Sequence, residues 1–185
     1  MKNKIFDAEF SENFLLNNFS KKYLHKKEFI HNPKNIMSLD FMNQMLSVNT
    51  NWNNKNFHMM LNKKPINYSD YSSLSSEIAG QFLRPDVTKV ENWVSNGASI
   101  ILNDINNFNS SLLNISNELQ KLTNGKCQAN LYFSMESNQA FGPHCDEHDV
   151  FAIHFEGEKV WNIYEKIDNA PINHPIFKYS LEERI

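Results

Sequence analysis

Apolar residues at Phe10, Phe14, Leu15 and Phe19 return at helical spacing, which predicts an amphipathic helix over Ala8 to Phe19. Ser38 is placed to cap a short helix over Phe41, Met42 and Met45. Phe57 to Ile66 reads as a hairpin, with Asn62-Lys63-Lys64 at the turn and Met59, Met60 and Leu61 in the strand before it. Those methionines are expected in the core, where a flexible thioether fills irregular gaps. Pro85-Asp86 opens a helix through Val90 and Trp93, and Gly97 is placed to end it. Ser99 to Leu102 has the length and apolarity of a short buried strand. Ser110 or Ser111 then caps a helix carrying Leu112, Leu113, Ile115, Leu119 and Leu122, stopped by Gly125.

Beyond Gly125 the pattern changes to that of β-structure. Cys127 to Ser134, Asp149 to Phe155 and Lys159 to Tyr164 are expected as strands, with Gly157 turning the second into the third. The predicted class is therefore α+β in a single domain over 1–185. A mainly helical front (1–125) leads into an antiparallel β unit (126–185). Ser180-Leu181-Glu182-Glu183 is a capping-box pattern that announces a helix close to Ile185. Three strands are also few for a barrel or sandwich. The expectation is a chain incomplete at its C-terminus, part of a longer protein.

Composition changes this picture in a few places. A hydrophobic fraction of 41% with 14 Phe supports a packed core and excludes global disorder. A net charge of −3 argues against nucleic acid held by bulk electrostatics. The basic stretch Lys21, Lys22, Lys26 and Lys27 around Tyr23 and Leu24 reads first as a solvated face. Two cysteines, Cys127 and Cys145, make no disulfide framework and fit a reducing compartment. Met1 to Phe10 lacks the apolar run of a signal peptide. No segment approaches the roughly 18 apolar residues of a membrane span. A soluble, cytoplasmic protein without a membrane partner is expected.

The candidate chemistry lies in Phe141-Gly142-Pro143-His144-Cys145-Asp146-Glu147-His148-Asp149-Val150-Phe151. In extended chain, residues i and i+2 face the same way. His144 and Asp146 would thus project an imidazole and a carboxylate from one face, with Cys145 on the other. These are two of the three groups of the facial triad of non-haem Fe(II) oxygenases, which leaves positions open for a co-substrate and O2. His-x-Asp alone occurs in many polar surface loops. The context adds weight: a Gly142-Pro143 turn precedes the pair, and an apolar segment with a glycine turn follows it, a rigid hairpin of the kind a metal site needs.

Four segments carry a family resemblance: Gln128-Ala129-Asn130-Leu131-Tyr132, Gln139 to Asp146, Asp149-Val150-Phe151, and Glu156-Gly157-Glu158-Lys159-Val160-Trp161 followed by Tyr164. Together they resemble the JmjC/cupin-like Fe(II)- and 2-oxoglutarate-dependent oxygenases, most nearly the ribosomal oxygenase (cupin 4) group. The resemblance is ordered from about Leu83 to Tyr164. In the front third it reduces to Phe14 and the Lys21-to-His25 stretch. It implies a double-stranded β-helix (cupin/jelly-roll) barrel, of which only the first strands are present, with Fe(II) as cofactor and 2-oxoglutarate as co-substrate.

By the same resemblance, His144 and Asp146 match the first two iron ligands. Lys159 matches the lysine that pairs with the distal carboxylate of 2-oxoglutarate, and Asn130 and Tyr132 match positions lining that pocket. Without the resemblance, Lys159 is a solvent-facing hairpin lysine, and Asn130 and Tyr132 are strand residues satisfied by their own sheet. If Lys159 is buried, its ammonium needs an anion to offset desolvation. The third ligand, a histidine on a later strand in the family, is expected beyond Ile185. His148 sits too near His144, His154 reads as a core histidine, and His174 as a surface residue of a connection.

The implied activity is hydroxylation or demethylation of a protein or peptide side chain, with a ribosomal protein among the candidate substrates. A homodimer is compatible with it. Two other classes stay open: a cupin metalloenzyme that does not use 2-oxoglutarate, and a non-catalytic binding module.

Overall fold

The computed structural model describes residues 6–48, 51–135, 138–144, 146 and 148–164. The first helix, α1 (Ala8–Asn17), starts at Asp7, whose side chain accepts from the Phe10 amide at 2.7 Å. None of its residues is fully buried. Its apolar side builds an aromatic stack instead: Phe10 lies 5.7 Å from Phe14 and 4.6 Å from Phe29, ring to ring. The Lys26 ammonium covers the rings of Phe10 and Phe29 at 4.9 and 4.7 Å. One lysine of the basic stretch is thus used in packing. The second helix, α2 (Leu39–Val48), is capped by Ser38, whose Oγ accepts from the Phe41 amide at 3.2 Å. Met42 and Met45 point inward.

The hairpin expected at Phe57 to Ile66 is present as β1 (Phe57–Leu61) and β2 (Lys64–Pro65). Asn62 and Lys63 both have positive φ, 50° and 64°. Such a pair of left-handed residues matches the natural twist of a two-residue hairpin turn. Met59 is fully buried, as expected, while Met60 and Leu61 are half-buried. A second hairpin, β3 (Ser72–Glu77) with β4 (Gly80–Pro85), escaped the sequence reading because its serines carry no apolar alternation. Asp86 caps α3 (Val87–Ser95) by accepting from the Lys89 amide, and its other oxygen accepts from Ser73 Oγ at 2.8 Å. Gly97, with φ +93°, follows the end of α3 as expected.

β5 (Ser99–Leu102) is buried throughout and pairs antiparallel with β1 on one side and β6 (Leu131–Phe133) on the other. The resulting sheet runs β2-β1-β5-β6. Between β5 and β6 lies α4 (Ser110–Thr123), capped by Asn109 rather than Ser110 or Ser111. Asn109 accepts from the Leu112 amide at 2.7 Å and also donates to the Ile36 carbonyl. The left-handed residue that ends α4 is Asn124 (φ 53°), one position before Gly125. The core gathers Trp52, Phe57, Met59, Tyr71, Ile100, Leu102 and Ile105 with the inward methionines.

An α+β architecture of helices and antiparallel sheets is thus confirmed, with three corrections. The front is mixed rather than mainly helical, since β1 to β5 all lie before residue 125. The strand expected over Cys127 to Ser134 is limited to Leu131–Phe133, where it has β5 to pair with. Asp149 to Phe155 and Lys159 to Tyr164 join no ladder among the described residues, although Gly157 adopts the positive φ (80°) of a turn. A strand is defined by its neighbour's hydrogen bonds, so alternation alone does not create one. The capping-box pattern at Ser180 to Glu183, His174 and Cys145 lie outside the described residues. No described helix is long and apolar enough to cross a membrane.

Candidate functional site

The side chains of His144 and Asp146 stand next to each other, Nε2 to Oδ1 at 3.9 Å. Neither residue lies in a strand, yet the juxtaposition expected from i, i+2 spacing is present. His144 Nδ1 lies 2.9 Å from the Gly142 carbonyl oxygen. A carbonyl can only accept, so Nδ1 carries the proton. In the neutral ring Nε2 then keeps its lone pair, on the side of Asp146. A backbone carbonyl that fixes the tautomer and orientation of a histidine is the usual support behind a metal-ligating imidazole. Cis donors at about 2.1 Å from one ion stand about 3.0 Å apart, so the pair, at 3.9 Å, would close by somewhat less than an ångström to share an ion.

The two residues fit a metal as a pair of donors. Among the described residues no group of three His, Cys, Asp or Glu is arranged to hold one. His148 and His154 are both exposed, and His154 Nε2 meets the Gly157 carbonyl at 2.9 Å. This corrects the expectation of a core histidine at 154. The imidazole helps shape the Gly157 turn instead.

A line of rings leads from the pair to the candidate co-substrate lysine. His144 is 5.6 Å from the Phe141 ring, and Phe141 meets Tyr132 edge-on at 6.2 Å. Lys159 Nζ sits 5.9 Å from the Tyr132 ring and 5.0 Å from that of Trp161. Tyr132 reaches this cluster because β6 alternates. Leu131 and Phe133 pack against the core while Asn130 and Tyr132 are exposed.

The surroundings of two candidate residues are specific. Lys159 is exposed, so no desolvation penalty calls for an anion; its cationic end is met by aromatic faces. Asn130 Oδ1 accepts from the Asp104 amide at 3.2 Å, which commits that oxygen to the loop after β5. Phe141, Trp161 and Glu156 were within the recognised motifs without an assigned role, and their roles depend on distant partners.

Glu156 ties this region to the front of the molecule. Its carboxylate pairs with Lys34 at 2.8 Å and accepts from the Leu39 amide, at the start of α2, at 3.2 Å. These bonds hold the Glu156 carboxyl below its ordinary pKa and the Lys34 ammonium above its own. Two further contacts run alongside: Phe14 packs on Phe151 with ring centres 5.7 Å apart, and Ser20 donates to Asp149 at 2.9 Å. The segment from 149 to 156 is therefore held by side chains of the first forty residues.

Residues 102–180 match the model of the JmjC domain. The chain is similar there to the JmjC oxygenases. It is 28% identical over 158 residues to the bifunctional lysine-specific demethylase and histidyl-hydroxylase NO66 of Dictyostelium discoideum, covering 85% of this chain and 29% of that protein. The Drosophila melanogaster protein of the same name is 36% identical over 73 residues, 40% of this chain and 11% of its own length. Ribosomal oxygenase 1 of Danio rerio is 29% identical over 75 residues, 40% of this chain and 14% of that protein. The chain thus spans less than a third of the length of these relatives. No solved structure matches it. The JmjC match takes in β6, the His144–Asp146 pair, the ring line and Lys159.

Proposed function

We propose that the chain provides part of the active site of a cytoplasmic Fe(II)- and 2-oxoglutarate-dependent oxygenase that hydroxylates or demethylates a side chain of a protein or peptide. The observation that carries this reading is the His144 tautomer. Nδ1–H is committed to Gly142, which leaves a basic Nε2 3.9 Å from the Asp146 carboxylate. An imidazole nitrogen and a carboxylate oxygen are the donors that suit non-haem Fe(II), which supplies the oxidative chemistry when bound.

The chain's own residues have simpler tasks. His144 and Asp146 hold the ion, and the Gly142 carbonyl keeps the imidazole turned toward it. Lys159 offers an ammonium to the distal carboxylate of 2-oxoglutarate. The rings of Phe141 and Tyr132 line the way between the two sites. Asn130 has a lesser part, since its carbonyl oxygen already serves Asp104. The relatives' names speak of lysine demethylation, histidyl hydroxylation and a ribosomal oxygenase. A histidine or lysine side chain, on a ribosomal protein among others, is accordingly the substrate class to test first, with a homodimer as a compatible assembly.

The direct measurement is Fe(II)-dependent conversion of 2-oxoglutarate to succinate. Asp146→Ala is expected to reduce it to background, and Lys159→Ala to raise the 2-oxoglutarate concentration required. Turnover that persists unchanged in Asp146→Ala would sink the ligand assignment.

A further inference from the structure

We infer that Trp161 is a binding-site residue: with Tyr132 it seats the Lys159 ammonium for a dicarboxylate ligand, and so favours a dicarboxylic keto acid over a monocarboxylic one. The inference rests on the co-substrate reading above and deepens it. Lys159 Nζ lies 5.0 Å from the Trp161 ring centre and 5.9 Å from that of Tyr132. Both fall within the roughly 6 Å over which an aromatic face attracts a cation, and indole is the strongest of the aromatic faces. The rings approach from different parts of the chain. Tyr132 stands on the exposed side of β6, and Trp161 follows Lys159 by two residues.

Among the described residues Lys159 forms no ion pair, so the rings are what positions its end. A lysine stem is long and flexible, and much of its rotamer freedom is lost when it grips an anion. Seating the ammonium on two rings beforehand removes part of that cost. The rings attract the cation through their faces and contain no hydrogen-bond acceptor of the carboxylate kind, so the ammonium's N–H donors stay available. The Tyr132 ring continues through Phe141 to His144. A ligand held at one end by the His144–Asp146 site and at the other by Lys159 would lie along that line.

The test measures binding of 2-oxoglutarate and of pyruvate, which lacks the distal carboxylate, to the whole chain loaded with redox-inert Mn(II). Calorimetry and tryptophan emission are the two readouts. Trp161 is more than half exposed, so its replacement leaves the core intact. Trp161→Leu, which keeps an apolar side chain without a ring, is expected to weaken 2-oxoglutarate about fivefold, the worth of an exposed cation–π contact, and to leave pyruvate unchanged. Trp161→Phe retains most of the affinity. In the wild type the emission shifts as 2-oxoglutarate binds, and this shift is absent in Lys159→Ala. Equal binding of 2-oxoglutarate by wild type and Trp161→Leu overturns the inference and leaves the oxygenase reading standing. Equal weakening of both acids by Trp161→Leu also overturns it, since that marks a general disturbance of the site. A wild-type chain that binds neither acid removes both readings.

Discussion

Tyr71 shows how much a single side chain contributes once the fold surrounds it. The ring is 1% exposed, and its hydroxyl donates to the Phe57 carbonyl at 3.2 Å, joining the turn before β3 to β1. Burial, with the Tyr68 phenol beside it, pushes the Tyr71 hydroxyl up to about 12. The folded chain thus resists ionisation that the unfolded chain undergoes near pH 10. Stability from this group is complete below about pH 10 and is lost as pH rises through 12. Chemical denaturation between pH 9 and pH 12, all approximate bounds around those two values, is expected to show this loss in the wild type and less of it in Tyr71→Phe. At neutral pH the same variant costs about 1 kcal/mol, the net worth of one buried hydrogen bond. Nothing in the sequence around Tyr71 marks it, because its partner is fourteen residues away, at the start of β1. His144 is the opposite case. Its partner is the carbonyl two residues back, and the spacing to Asp146 is local, so the candidate pair could be read from the chain directly.

At the level of elements, helices were legible and late strands were not. Asp7, Ser38 and Asp86 cap by accepting from amides three residues on, a bond determined within one turn. Replacing Asp86 by Ala is expected to lower stability by roughly 0.5–2 kcal/mol in thermal unfolding, since it removes the cap of α3 and the bond from Ser73 together. The segments 149–155 and 159–164 have the residues of strands but no described neighbour to pair with. Phe14 of α1 and Ser20 hold the first of them, and Lys34 holds Glu156 just after it. Glu156→Gln therefore loosens the Gly157 turn and the start of α2 in concert. Amide exchange is the measurement: Leu39 and the 149–157 segment should both exchange faster, while the β1–β5 amides stay protected. Faster exchange at Leu39 alone would show that Glu156 is only a helix cap.

On the scale of the whole molecule, three carboxylates tie separate parts together and set the response to acid. Glu77 receives two bonds from Arg84 across the β3–β4 hairpin, at 2.7 and 3.0 Å, and Arg84 also donates to the Trp52 carbonyl. Asp86 joins α3 to β3, and Glu156 joins the candidate site to α2. All three are held below their ordinary values of 4.5, 3.8 and 4.5 by these bonds, chiefly those from Arg84, Ser73 and Lys34. Each stabilises the fold above its ordinary value, and that contribution is lost as pH falls through the lowered one. The unfolding midpoint should fall as the solution is acidified through this range, and less steeply in a Glu77→Gln, Glu156→Gln double variant. The core is a matter of the whole chain as well. Trp52 stacks on Phe108 at 4.8 Å and is 1% exposed, and Trp52→Ala is expected to cost about 3–5 kcal/mol. From the sequence alone came the helices, the Asn62-Lys63 turn, the buried strand at Ser99–Leu102 and the His144–Asp146 pair, because hydrophobic period, capping and i, i+2 spacing act within a few residues. The tertiary structure decided that β6 extends only as far as its pairing with β5, that Asn130 turns to Asp104, and that Lys159 rests between Tyr132 and Trp161. Those outcomes depend on which neighbour each backbone or side chain meets, and a neighbour thirty or a hundred residues distant leaves no local mark.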